Sequence, residues 1–183
     1  MKLMKRTFRA LAVLTLFAAS FSSCKKDDKP ASTADAGSFT LDSKSYATNI
    51  GAYVKYNSSD YGQLVITTDS NVFKYPYSGK VSLIDIDMDL SAITEGTFTY
   101  KSSDDEAYDA KKNFYGASVA AEVTVTNSTP TGGTMLEDIT EGTVTITKSA
   151  TGYTITYSLT FGDKTVTGKY VGSVSPVLIK QPD

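Results

Sequence analysis

The sequence predicts an all-β domain, an antiparallel sandwich or flattened barrel, set behind a cleaved N-terminal signal helix. Three observations predict it. Apolar and hydroxylated residues alternate from Ser38 to the end of the chain, with Thr, Val, Ile and Tyr enriched. Short clusters of Asn, Asp, Ser and Gly separate the alternating runs. A basic start, a brief apolar run and the only cysteine of the chain precede them all.

The first element is the export segment. Lys2, Lys5, Arg6 and Arg9 form a charged start, Ala10–Phe21 an apolar run, and Ser22-Ser23 a small-residue cleavage site before Cys24. An ordinary membrane-crossing helix needs about 20 apolar residues, so residues 1–23 read as a signal peptide. An anchor helix or a core helix is the alternative. Cys24 allows a free thiol, an intermolecular disulfide, or lipidation. Phe21-Ser22-Ser23-Cys24 resembles a bacterial lipobox, with Phe where Leu is usual. The resemblance implies cleavage before Cys24 and acylation of its thiol and new N-terminus. Each buried CH₂ is worth about 0.8 kcal/mol, and stable anchoring takes more than one chain, which a multiply acylated cysteine supplies.

Lys25-Lys26-Asp27-Asp28 reads by composition as a solvated charged spacer. Lys26, Asp27 and Asp28 behind a lipidated cysteine also resemble the surface-export tag of Bacteroidota lipoproteins. That resemblance implies an outer-membrane, lipid-anchored protein facing outward. Lys29–Gly37 follows as a flexible Pro/Ala/Ser linker, so residues 24–37 carry the lipid and spacer and 38–183 the β domain.

Charge and composition exclude much chemistry. Of 18 Lys and Arg, four lie in the signal, leaving 14 lysines against 20 acids, a formal charge of −6. Both arginines are in the signal, and the chain has no His and no Trp. Guanidinium forks for phosphate or nucleic acid are therefore missing from the mature chain. So are Ser-His-Asp and Cys-His arrangements, and His or Cys sites for zinc, haem or copper once Cys24 is acylated. The reading is a non-enzyme with no cofactor and no nucleic-acid partner.

Within the domain the clearest element is Tyr153–Phe161. Tyr153, Ile155, Tyr157, Leu159 and Phe161 share one face; Thr154, Thr156, Ser158 and Thr160 share the other. Gly162-Asp163 supplies a two-residue turn, and Lys164–Val171 returns. Pairing Phe161 with Lys164 sets Leu159 opposite Val166, Tyr157 opposite Gly168 and Ile155 opposite Tyr170. A tyrosine then covers a strand glycine. Further strands are expected at Ser38–Leu41, Ser45–Thr48, Ala52–Tyr56, Gly62–Thr68, Val81–Leu90, Gly96–Lys101, Ala117–Thr126 and Gly142–Thr147. Asn57–Asp60 and Thr131-Gly132-Gly133 read as turns, and Asp104–Asn113 as the only stretch able to form a helix. The pentapeptide ITEGT occurs twice, at Ile93–Thr97 and Ile139–Thr143. Two copies are too few for a solenoid, so each reads as a turn leading into an equivalent strand, rather than as a duplicated binding element. The units GTFTY, EGTVTIT, GYTITYSLTF and TVTGKYVG, with the opening SFTLDSKSYAT, resemble the β domains of small Bacteroidota surface lipoproteins. The likeness covers most of residues 38–174 and implies a sandwich or flattened, calycin-like barrel. It carries over no functional residues.

Three constellations could carry function. Asp85, Asp87 and Asp89 alternate along one strand face and could share a Ca²⁺. Leu90 and Gly96 stand where an EF-hand needs Gly and Glu, so the plainer reading is a solvent-facing acidic strand that blocks edge pairing. Asp104, Asp105, Glu106 and Asp109 form a second acidic group with the same two readings. Pairs of carboxylates could hydrolyse glycosides, but no flanking motif singles a pair out among 20 acids. Tyr46, Tyr53, Tyr56, Tyr61, Tyr75 and Tyr77 crowd into the first third of the domain. Tyr53, Tyr56, Tyr75 and Tyr77 are the possible ligand-binding set, with Tyr75-Pro76-Tyr77 the best placed for exposure. The expected function is a surface-anchored, non-catalytic module for glycan or protein. An accessory or structural lipoprotein and a lipocalin-like carrier of an apolar ligand are the alternatives.

Replacing Cys24 with Ala should release the protein from membranes. Mass spectrometry of the wild-type N-terminus should find an acylated Cys24, and external protease should shave the domain from intact cells. A chain beginning at Met1, or one fully protected from protease, would refute the reading.

Overall fold

Alternation builds the molecule strand by strand. The computed structural model describes residues 36–56 and 61–179. The signal, Cys24, Lys26, Asp27, Asp28 and the turn at 57–60 lie outside the described residues. The described chain runs β1 (Ala36–Leu41), β2 (Lys44–Ala47), β3 (Ile50–Tyr56), β4 (Gly62–Thr67), a 3₁₀ turn (Ser70–Phe73), β5 (Gly79–Met88) and β6 (Gly96–Tyr100). It continues with β7 (Asn113–Phe114), β8 (Gly116–Thr126), β9 (Thr129–Leu136), β10 (Glu141–Ser149), β11 (Gly152–Phe161), β12 (Lys164–Gly172) and β13 (Val174–Ile179).

Two sheets result, in the orders β2-β1-β12-β11-β10-β6-β7 and β13-β3-β4-β5-β8-β9. They pack face to face and do not close into a barrel, so the fold is a sandwich. Pairing is antiparallel except at two margins, where β13 lies parallel to β3 and β7 parallel to β6.

The β11–β12 hairpin has the register that alternation requires. Phe161 faces Lys164, Leu159 faces Val166, Tyr157 faces Gly168 and Ile155 faces Tyr170. Gly162 takes φ +61° at the first central position of the turn, and Asp163 is not at positive φ, the pattern of a type II′ turn. Ile155, Leu159 and Val166 are fully buried. Facing them across the sandwich are Leu64, Ile66, Ile84, Ile86 and Met88 from the second sheet. Burying each such side chain is worth about 1.5–3 kcal/mol. The opposite face of the first sheet holds ranks of hydroxyls. One rank runs Thr99, Thr143, Ser158, Thr167, Thr40 across five strands. The two ITEGT segments lead into β6 and β10, which are antiparallel neighbours with Phe98 opposite Val144.

Tyrosine rings close the gaps that strand glycines leave. A Cβ on Gly168 would meet the Tyr157 ring at 2.4 Å, and one on Gly62 would meet Tyr53 at 2.2 Å. Tyr170 of β12 lies opposite Gly37 in its own sheet and reaches Gly51 of the other, where a Cβ would come within 2.8 Å of its ring.

Three elements depart from the sequence reading. Asp104–Asn113 forms turns: Asp105 Oδ1 accepts from Ala107 N at 2.8 Å and Asp109 Oδ1 from Lys111 N at 3.0 Å, local bonds that compete with a helix. The one described helical segment is instead Ser70–Phe73, capped by Asp69. Thr131-Gly132-Gly133 lies within β9, because β8 offers it ladder partners; Gly133, at φ +91°, fits against the bulged backbone of Glu122 and Val123.

Gly168→Ala and Gly51→Ala should each destabilise by about 1–3 kcal/mol, since a methyl must displace a packed ring. Leu159→Asp should cost several kcal/mol by burying an unpaired charge. Urea unfolding of the three variants checks both; unchanged midpoints would refute the register.

Candidate functional site

β5 alternates strictly after its bulge at Val81/Leu83. Ile84, Ile86 and Met88 enter the core, so Asp85 and Asp87 must point to the outer face of the second sheet. β5 lies in the middle of that sheet, between β4 and β8, and the row is half-buried. The expectation of a solvent-facing, edge-protecting acidic strand is therefore corrected. The cause is the connection between β4 and β5, which folds back over this face. Its Phe73 packs with Ala52, Val54 and Val65, and its Val72 and Tyr77 with Val81, Ala120 and Val123.

Each carboxylate meets different surroundings. Asp85 lines a groove of about 140 Å³ with Val54, Tyr56, Val65, Phe73 and Leu83. Its Oδ1 is buried with no hydrogen-bond partner. Burial, and then repulsion from Asp87, pushes its carboxyl up to about 8, against a smaller opposing effect of the Ile86 N–H. Asp85 is thus protonated at neutral pH. Asp87 Oδ1 accepts from Gln63 Nε2 at 2.8 Å, and Gln63 Oε1 accepts from the Tyr56 hydroxyl at 2.8 Å. Gly116 stands opposite Asp87, and a Cβ there would meet Asp87 Oδ2 at 2.5 Å, so glycine leaves the carboxylate its room. Near Asp89 the Tyr108 hydroxyl is buried, and burial and then that charge push it up to about 12.

Beside the acids stands a row of rings. Tyr115 makes edge contacts with Tyr61 at 6.4 Å and 71°, and with Tyr108 at 6.4 Å and 73°. Burial raises the Tyr115 phenol, with the charges of Asp87 and Asp89 adding to it. Tyr61 is 57% exposed and offers the open end of the row. Aromatic faces next to oriented carboxylate and amide oxygens suit a polar ring-shaped ligand. The donors do not suit a metal: among the described residues no three His, Cys, Asp or Glu side chains gather closely enough to hold one. Asp85, Asp87 and Asp89 thus do not converge on an ion. In the second acidic group Asp105 pairs with Lys101 and Asp109 with Lys112, each held below the usual carboxylate range first by a backbone N–H.

The four tyrosines singled out in the sequence are not brought together. Tyr53 is buried over Gly62 and donates to Leu90 O at 2.8 Å. Tyr77 is buried beside Gly79 and donates to Asp69 Oδ2 at 3.1 Å. Tyr75 is 89% exposed at the tip of the connection. Only Tyr56 joins the acid row. Tyr108, Tyr115 and Gln63 are the members that sequence reasoning missed. One signal could have found two of them: aligning β5 with β4 and β8 by alternation sets Gln63 and Gly116, with Tyr115 just before it, opposite Asp87.

Because the Asp85 carboxyl ionises near pH 8 when folded but near 3.9 when unfolded, the folded chain holds a proton that the unfolded chain releases. Its contribution to stability is complete below about pH 4 and is lost as the pH rises to about 8. Asp85→Asn should abolish this slope and, at pH 8.5, leave the variant more stable than wild type by on the order of 2 kcal/mol, a reduced figure because the side chain keeps some solvent contact. Urea unfolding at pH 5 and pH 8.5 measures it; equal slopes in both chains would refute the buried proton. In comparisons with known proteins, no family model matches the chain, and no curated protein or solved structure matches it.

Proposed function

We propose that the mature protein is a non-catalytic binding module, tethered by a lipid on Cys24 to the outer face of the outer membrane. It contacts glycan through the acid–aromatic face of its second sheet. The observation that carries this is the Tyr61–Tyr115–Tyr108 ring row standing beside the Tyr56–Gln63–Asp87 hydrogen-bond chain. Sugars present apolar C–H faces and a rim of hydroxyls. The rings take the first, and the fixed carboxylate and amide accept from the second. Asp87 is pre-oriented by Gln63, which lowers the ordering cost of binding. The tether fits the order of signal, Cys24 and Lys26-Asp27-Asp28 along the sequence.

The unlipidated mature chain, screened on a glycan array, should bind a discrete set of glycans. Tyr61→Ala and Tyr115→Ala should weaken that binding about three- to tenfold, the value of one ring contact of about 0.5–1.5 kcal/mol. Tyr75→Ala should leave it unchanged. Turnover of any glycoside that Asp85→Asn or Asp87→Asn abolishes would replace the binding module with an enzyme. Binding to nothing on the array would favour the accessory-lipoprotein reading.

A further inference from the structure

The core between the sheets is left open at its β3–β13 corner. Tyr53 and Val174 still belong to the core packing. By alternation Lys55, Pro176 and Leu178 follow on the same inward face, but Leu178 remains 59% exposed. With Ala92 and Ile93 of the β5–β6 connection they line a groove of about 370 Å³. That volume lies in the range of small-ligand sites, and the walls are mainly apolar. Among the described residues Lys55 is the only charged group in the lining. It is half-buried, yet no described residue gives it an ion pair or hydrogen bond. Among the described residues, then, the one cation lining this apolar groove has no anion paired with it.

We propose that this groove binds a single-chain amphiphile bearing one anionic head group, its apolar body between Ile93, Val174 and Leu178 and its carboxylate or equivalent on Lys55. Two observations select this occupant. The cation selects an anionic head over a neutral or cationic one. The formal charge of −6 on residues 24–183 opposes anions at long range, but at physiological salt that field decays within about 8 Å, and the local ammonium decides. A second copy adding a strand to β13 is disfavoured because Pro176 removes an N–H from the middle of that edge. The site is separate from the acid–aromatic face and does not depend on the glycan reading.

Dodecanoate titrated calorimetrically into the mature chain below its micelle concentration should bind one-to-one. Lys55→Met should weaken dodecanoate about tenfold and leave dodecanol unchanged, as expected for one half-buried charge pair. Ala92→Trp, at an exposed position, should fill the groove and abolish binding of both while the circular dichroism spectrum stays native. The proposal is overturned if dodecanoate shows no saturable binding or if dodecyltrimethylammonium binds as well. It is equally overturned if Lys55→Met leaves the dodecanoate affinity intact, or if the groove is masked by a dimer that sedimentation detects.

Discussion

A ring seated on a glycine is the contact on which the rest of this sandwich depends. The chain has no tryptophan, so its largest fillers are Tyr and Phe. Tyr170 fills the depression over Gly37 in its own sheet and abuts Gly51 in the other, which fixes how closely the two sheets approach. Its hydroxyl then donates to Ser173 O, at the point where the chain leaves β12 for β13. Tyr53 on Gly62 repeats the device inside the second sheet and ties the β5–β6 connection through Leu90. In both cases the glycine supplies the space, the ring supplies the buried area, and the phenol reaches a backbone oxygen beyond. Sheet spacing, strand register and loop position are thereby set by the same few side chains.

This device also explains what could be read from the sequence and what could not. The β11–β12 hairpin was legible because its ring and glycine lie on adjacent strands joined by a two-residue turn, so alternation alone fixes the match. Tyr170 with Gly51 belongs to different sheets, and no local period reports it. Tyr53 and Tyr77, read as possible ligand contacts, lie as buried rings against Gly62 and Gly79, and Tyr53 also lines the groove at the β3–β13 corner: a tyrosine in an alternating run has the same signature whether its ring meets ligand or backbone. β7, β9 and β13 were missed because each owes its extended form to a neighbour's unpaired ladder. The segment Val174–Ile179 carries a proline and Thr129–Leu136 two adjacent glycines, composition that reads locally as loop.

The acid row was legible as a row, but its character was not. Three alternate aspartates announce a shared face, and nothing in their own stretch says that residues from the β4–β5 connection will fold across it. That cover, with Tyr56, separates chemically identical side chains. Asp85 keeps its proton among valines and a phenylalanine, whereas Asp87 is fixed by Gln63. The rings beside them arrive from a segment, around Tyr108 and Tyr115, whose turns are held by Asp105 and Asp109. The face is therefore assembled from four separate parts of the chain, and only tertiary packing makes it one surface.

The hydroxyl ranks on the outer face of the first sheet have a consequence of their own. Two adjacent ranks, Thr99–Thr143–Ser158–Thr167–Thr40 and Thr97–Thr145–Thr156–Lys169–Ser38, contain a single ionisable side chain between them. Threonine neither titrates nor carries a charge for counterions to screen, so the water held by this face changes little with acidity or ionic strength. The acid-bearing face of the other sheet responds to both. The molecule is thus two-sided in its chemistry: the two hydroxyl ranks of one sheet keep their hydration largely independent of acidity and salt, while the acid row of the other sheet responds to both.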